Sequence, residues 1–158
     1  MLISSGNRFG AGLFKHTAAG TAIWGRAITN NGNGNSYPQC VAPAPGDGVY
    51  MSGVFLGTNQ LGTNVLKETA GASLYLARFD SAGNILWVRT FGGTNACFQS
   101  YHQLVADPAG NVTISALAYN LVSFGTTNIV LNGQRGILAQ YDANGNLRWV
   151  QSPSGWVS

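Results

Sequence analysis

The chain has 158 residues and a formal net charge of +3, with 45% hydrophobic and only 8% charged residues. This composition excludes coiled coils and long amphipathic helices, which need Glu, Lys and Leu in bulk, and it is too apolar for ordinary disorder. The eight basic residues stand singly, whereas nucleic acids are bound by clustered Lys and Arg, so we expect no nucleic-acid partner.

The start of the chain, residues 1–6, lacks the basic flank and the long apolar stretch of a signal peptide, so none is predicted in this chain. No apolar run anywhere in the sequence is long enough for a membrane-spanning helix. Residues 2–6 instead match a strand-forming segment of the later repeats, and they predict a fragment of a strand at the start of the chain.

A twelve-residue segment that closes on tryptophan occurs three times. The copies read LFKHTAAGTAIW (13–24), LARFDSAGNILW (76–87) and LAQYDANGNLRW (138–149), and their tryptophans lie 63 and then 62 residues apart. Three shorter segments also match between the second and third copies: 36–41 with 100–105, 48–53 with 111–116, and 61–64 with 124–128. We therefore predict a single repeat domain over residues 1–158.

Each repeat predicts four short antiparallel strands, because β-branched and aromatic residues dominate and no segment has a helical period. The first strand ends at Val41 or Val105, a turn leads to the second strand, and a connection rich in Gly, Thr and Asn follows. The third strand (75–79 and 137–141) forms a hairpin with the fourth, which carries the tryptophan. Such repeated units are typical of an all-β propeller, with blades at 1–30 (incomplete), 38–93 and 100–152.

Turns of the form Asp-x-x-Gly-Asn recur between the strands. We expect each aspartate to accept backbone N–H groups and each glycine to adopt a positive φ, so that these residues close turns and do not bind calcium. The predicted pairs are Asp80 with Gly83, Asp107 with Gly110, and Asp142 with Gly145. No metal site, cofactor site or catalytic residue is predicted, because no spacing of ligands or nucleophiles is typical of one.

Two motifs, the Asp-x-x-Gly-Asn-x-x-Trp segment followed by FGG (91–93) and VADPAGNV (105–112), resemble the bacterial seven-bladed β-propeller repeat (SBBP-type) family. The resemblance covers nearly the whole chain and implies a propeller fold. Members are typically secreted or surface-associated bacterial proteins without assigned chemistry, so it also implies an extracellular or cell-surface location. The first copy departs from the motif, since Thr17 and Thr21 replace the turn Asp and Asn.

The three repeated tryptophans, Trp24, Trp87 and Trp149, are predicted to be core residues between neighbouring units, since burying a Trp removes a large apolar area from water. Arg26 and Arg89 lie two residues beyond two of them, and we expect cation–π packing on the rings. The two cysteines give no metal spacing: Cys40 aligns with Leu104 and is predicted to be a small buried residue, and a disulfide with Cys97 is not favoured.

One repeated polar motif predicts a binding site. Ser-Tyr-x-Gln stands before the first strand of both full repeats, at 36–39 and 100–103. In propellers this junction lies near the axial channel, and Tyr and Gln suit a neutral polar ligand; the alternative is that these residues join neighbouring blades. The candidate ligand-binding residues are Tyr37, Gln39, Tyr101, His102 and Gln103.

These features predict a non-catalytic binding or scaffold module, directed at a neutral glycan or a protein partner. A hydrolase is least favoured, because a glycosidase needs two converging carboxylates. Propellers close with about four to eight blades, so three blades need completion. We expect a homodimer that forms a six-bladed ring, with the tail near Trp156 supplying the missing strand; the alternatives are a purely structural self-assembling repeat and a fragment of a longer propeller chain.

Overall fold

The computed structural model describes residues 2–4, 11–30, 33–68, 71–93 and 102–152. Within these ranges the chain is all-β, which confirms the predicted class, and none of its segments is a helix. Accordingly, no helix in the described ranges has the length and apolar character needed to cross a membrane. The strands are β1 (Leu2–Ser4), β2 (Ala11–His16), β3 (Ala22–Asn30), β4 (Asn35–Ala44), β5 (Gly48–Leu56), β6 (Thr58–Leu61), β7 (Asn64–Lys67), β8 (Ser73–Phe79), β9 (Ile85–Phe91), β10 (His102–Ala106), β11 (Val112–Phe124), β12 (Thr127–Tyr141) and β13 (Leu147–Gln151).

These strands form three antiparallel sheets. The first sheet has the order β1-β2-β3-β6-β7, the second β4-β5-β8-β9 and the third β10-β11-β12-β13. The predicted order of four antiparallel strands is therefore present in the second and third sheets. In the first sheet β1 pairs with β2, just as the second strand pairs with the third in the other two sheets (β5 with β8, β11 with β12). Strand β1 thus takes the place of a second strand, which agrees with the predicted strand fragment at the start of the chain.

The connection rich in Gly, Thr and Asn is itself a hairpin, which the sequence analysis did not predict. Gly57, with a φ of +66°, turns the chain out of β5. Strand β6 then pairs with β3 of the first sheet, with Leu61 opposite Ile28, and β7 pairs with β6. The fully buried side chains of Leu61 and Leu66 hold this hairpin in place. The sequence indicates only a connection at this point, whereas two buried leucines suffice to anchor a short hairpin on a neighbouring sheet.

The equivalent stretch of the third sheet also reaches back to the sheet before it. There β11 and β12 continue without interruption into a long arm, whose residue Ser123 forms a bridge with Gly92 just beyond β9. The Phe124 ring packs 5.4 Å from the Phe91 ring at the same place. Each hairpin arm thus contacts the end of the last strand of the preceding unit.

The second sheet lies between the other two and is buried on both faces. Along β5 the side chains alternate: Tyr50 and Val54 belong to an apolar cluster shared with the third sheet, whereas Met51 and Phe55 belong to a cluster shared with the first. A strand buried on both faces has a nearly continuous apolar sequence, as β5 does. The third sheet buries one face against the second sheet, and β11 accordingly alternates between buried and half-buried residues over most of its length.

Candidate functional site

The predicted binding residues lie on β4 and β10, the first strands of the second and third sheets. These two strands pack against each other, and the Cys40 thiol donates a hydrogen bond of 2.8 Å to the His102 carbonyl oxygen. Tyr101, the remaining predicted ligand residue, lies outside the described residues, as do Cys97 and Trp156. Cys40 is half-buried with a free thiol, and burial raises the pKa of that thiol.

The structure does not bring the candidate residues together in one pocket. Tyr37 pairs with Val54, so it lies on the face of the second sheet that is turned to the third. Gln103 pairs with Ser115, on the opposite face of the third sheet from the buried Ile114 and Ala116. Tyr37 therefore lies on the face of the second sheet that is turned to the third, whereas Gln103 lies on the outer face of the third sheet.

The candidates also differ in exposure. Tyr37 is 42% exposed, and Gln103 is exposed as well. Gln39 is half-buried at a bulge in the pairing of β4 with β5, and its Oε1 has no hydrogen-bond partner among the described residues. Of the four candidates that the structure describes, Tyr37 and Gln103 are the two that offer a free side chain to a ligand.

His102, by contrast, is buried. Neither of its ring nitrogens has a hydrogen-bond partner in the described part of the chain, and the ring lies on the face of β10 that packs on the second sheet. Burial lowers the pKa of His102 to about 4, and the neighbouring Ser52 backbone only partly opposes this shift. The neutral, enclosed ring cannot contact an external ligand in this arrangement, so the predicted role of His102 in binding is not supported.

Three buried hydroxyl groups lie on β4, β5 and β8 of the second sheet, and the sequence analysis did not predict them. The hydroxyls of Ser36, Ser52 and Tyr75 are enclosed and have no partner with hydrogen-bond geometry among the described residues. Burial raises the pKa of Tyr75, and the nearby Ser36 side chain lessens the rise. Gly53 permits this arrangement, because a Cβ there would lie 2.5 Å from the Tyr75 hydroxyl oxygen. Ser36 belongs to the repeated Ser-Tyr-x-Gln motif, which is the sequence signal that could have indicated it.

The repeated aspartates close turns. Asp142 accepts hydrogen bonds from the backbone N–H groups of Asn144 and Asn146, both at 2.8 Å, and from the Asn146 side chain at 2.9 Å. Asp80 makes the same three contacts, and Asp107 accepts bonds from the backbone and side chain of Asn111. These hydrogen bonds lower the pKa of each carboxyl group. The glycines of the three turns all have positive φ: Gly83 (79°), Gly110 (84°) and Gly145 (79°).

A tryptophan on β3 of the first sheet and another on β9 of the second sheet each pack on one of these turns. The Trp87 indole N–H donates a hydrogen bond of 2.9 Å to the Ala143 carbonyl oxygen of the third sheet. The Trp87 ring covers Gly145, where a Cβ would lie only 2.7 Å from the ring, and its centroid lies 6.5 Å from that of Tyr141. We call this arrangement, an indole bonded to a turn carbonyl and packed on the turn glycine, the Trp–turn contact.

The same contact joins the first sheet to the second. The Trp24 indole donates a hydrogen bond of 2.9 Å to the Ser81 carbonyl oxygen, and a Cβ on Gly83 would lie 2.6 Å from the Trp24 ring. The Trp24 and Phe79 rings stack at 6.3 Å. The Trp–turn contact thus joins the first sheet to the second and the second sheet to the third, in the same register.

An arginine completes each Trp–turn contact. Arg26 and Arg89 lie 5.8 and 5.6 Å from the centroids of Trp24 and Trp87, which confirms the predicted cation–π packing. Each arginine also donates a hydrogen bond of 2.6 Å from Nε to the carbonyl oxygen of the turn glycine, Gly83 or Gly145. The arginines are therefore engaged between sheets.

Trp149 departs from the prediction that all three tryptophans are core residues. Trp87 is buried and Trp24 is half-buried, but Trp149 is 36% exposed and donates to the Gln140 side chain at 3.1 Å. The physical reason is its place: it lies on the outer face of the third sheet, where no turn of a following sheet covers it in the described part of the chain.

Among the described residues, no three His, Cys, Asp or Glu side chains are grouped as a metal site requires. A groove of about 520 Å³ between the second and third sheets is lined by Arg89, Tyr141 and uncharged residues, with no carboxylate, histidine or thiol. No protein-family model and no curated protein matches the chain.

Proposed function

We propose that the chain is a non-catalytic β-propeller-type module that serves as a scaffold and binds a neutral glycan or a protein partner at a bacterial surface. The observation that carries this proposal is the Trp–turn contact, which recurs in register between successive sheets. Packing of successive antiparallel sheets against one another, with the first strands β4 and β10 side by side, supports a propeller-type arrangement, in which blades pack face to face around an axis.

The engagement of four of the five acidic residues supports a non-catalytic role. Asp80, Asp107 and Asp142 are bound in turns, and the Glu68 carboxylate accepts a hydrogen bond from the Gly57 backbone N–H. A general acid or base needs a carboxyl group free to exchange a proton with substrate. The hydrolase alternative therefore has little support from the described residues.

Tyr37 is the residue that best supports a ligand role. Its ring is exposed on β4, the edge strand of the second sheet, and an exposed aromatic ring suits the apolar face of a sugar. Gln103 occupies the corresponding strand of the third sheet, so each sheet would carry its own site.

Glycan-array screening followed by calorimetric titration tests this role. We expect binding to a neutral glycan that Tyr37→Ala weakens by about tenfold or more, the loss typical of a central aromatic contact. Val65→Ala is the matched control, because Val65 is also exposed but lies on β7 of the first sheet. If no glycan binds, or if Tyr37→Ala binds like the native chain, the glycan role is wrong.

A second candidate function is a structural repeat that assembles with itself or within a longer propeller chain. The exposure of Trp149, at the position where its two counterparts pack on a neighbouring sheet, is the observation that favours it. This candidate needs no ligand, and it makes the outer faces of the first and third sheets the functional surfaces.

A further inference from the structure

We propose that the third sheet of one chain docks on the first sheet of a second copy, through a Trp–turn contact between Trp149 and the turn at 17–21. For the self-assembling function considered above, this docking names a second copy of the chain as the partner and names the residues that form the contact. It does not depend on the proposed glycan site, so the two proposals can fail separately.

Trp149 is placed to act as the donor of such a contact. It pairs with Gln140 across β12 and β13, as Trp87 pairs with Arg78 and Trp24 pairs with Lys15 in the other sheets. Residues that pair directly across antiparallel strands share a face, so Trp149 points to the side on which a following sheet would pack. Its indole ring is exposed where the other two cover a glycine.

The turn at 17–21 is placed to act as the acceptor. The Thr17 N–H donates to the Thr21 carbonyl oxygen at 2.8 Å, and Gly20 has a φ of +83°, as in the turns that receive Trp24 and Trp87. A Cβ built on Gly20 would have no atom of the described residues within 4 Å. The first sheet thus carries an open copy of the turn that is covered in the second and third sheets.

The surroundings of donor and acceptor match as well. His16 stands where Phe79 and Tyr141 pack beside the tryptophans, so its ring would flank a docked Trp149. The outer face of the first sheet exposes Phe14 and Ile23, and that of the third sheet exposes Val105 and Trp149. Apolar side chains left exposed on two faces of one chain are typical of an association surface.

One difference from the internal contacts predicts the strength of docking. Gln151 pairs with Leu138 where Arg89 pairs with Leu76, so the cation over the tryptophan is replaced by a neutral amide. The docked contact would lack the cation–π interaction and one charge-assisted bond to the turn. We therefore infer a reversible association that depends on concentration. A second copy, and not a permanently bound partner, then covers the outer face of the third sheet around Trp149.

Sedimentation velocity of two complementary variants tests the docking. Trp149→Ala removes the donor, and Gly20→Asn places a side chain where the indole would lie, while asparagine tolerates the positive φ of that turn. Each variant alone should associate at least about tenfold more weakly than the native chain. Gly125→Asn is the matched control, since Gly125 has the same positive φ and open space but lies at the tip of the third sheet's arm.

A mixture of the two variants makes the test specific for a head-to-tail contact. Gly20→Asn retains Trp149 and Trp149→Ala retains Gly20, so one Trp149–Gly20 contact is intact in each mixed pair, and the mixture should form the two-chain species at lower concentration than either variant alone. Circular dichroism must show that both variants are folded. The docking is overturned if the native chain is folded and monomeric at every concentration, if both folded variants associate like the native chain, or if the mixture restores nothing.

Discussion

At the scale of single residues, position in the repeat and local environment decide what a side chain can do. His102 and Pro38 stand at equivalent positions, opposite Ala116 and Gly53, yet only the third sheet has a titratable group there. Its ring is enclosed against the second sheet without a hydrogen-bond partner among the described residues. A buried imidazole of this kind is held neutral and makes the stability of the fold depend on pH.

The pH dependence of His102 has a defined direction. Its pKa is lowered from 6.5 to about 4 in the folded chain, so the unfolded chain binds the proton more readily between these values. Stability is therefore full above about pH 6.5 and falls as the pH drops towards 4, by up to about 3 kcal/mol from this residue. His102→Leu should remove the slope in thermal melts of dilute protein across this range.

His16→Leu is the matched control for that measurement, because it removes the other histidine of the chain from a half-exposed position. The control should retain the slope of the native protein. If His102→Leu retains the slope as well, burial of His102 does not govern the response to acid.

At the scale of strands and hairpins, the repeated tryptophans separate into covered and uncovered copies. Trp87→Ala should destabilise the fold by ~3–5 kcal/mol, the usual cost of removing a buried large aromatic side chain. Trp149→Ala should cost less than about 1 kcal/mol in dilute, undocked protein, since no sheet covers it. Urea denaturation of both variants at submicromolar concentration measures the difference. Equal losses would show that Trp149 is already buried by its own chain.

The hairpins that carry these tryptophans were predictable from the sequence, whereas the arms were not. Matching twelve-residue copies and Asp-x-x-Gly-Asn turns indicate the β8–β9 and β12–β13 hairpins directly. The arm at β6 and β7 has only two buried leucines among polar residues, and its partner strand β3 is distant in sequence. Local composition cannot indicate a pairing that depends on a neighbouring sheet.

The candidate site was predictable only in part for a similar reason. The sequence predicts that the Ser-Tyr-x-Gln motif stands before the first strand, whereas residues 36–39 lie within β4, and a strand turns alternate residues to opposite faces. Pro38 and His102, at equivalent positions, are therefore both buried, whereas the preceding Tyr37 is exposed. The exposure of Trp149 was equally hidden, because a repeat sequence reads alike whether or not another sheet follows it.

At the scale of the whole molecule, the three sheets are not equivalent. The second sheet is covered on both faces, whereas the first and third each leave one face with exposed apolar side chains, among them Phe14 and Trp149. A propeller removes such faces by closing on itself with about four to eight blades. Two chains joined twice by the docking proposed here would supply six sheets and leave neither face uncovered.

Light scattering of the native chain at micromolar concentration tests this account most directly. A closed pair predicts a discrete species of twice 16.6 kDa that dissociates on dilution and does not grow into larger polymers. A well-folded species that stays at 16.6 kDa across the concentration range would contradict it, because the face around Trp149 would then remain uncovered.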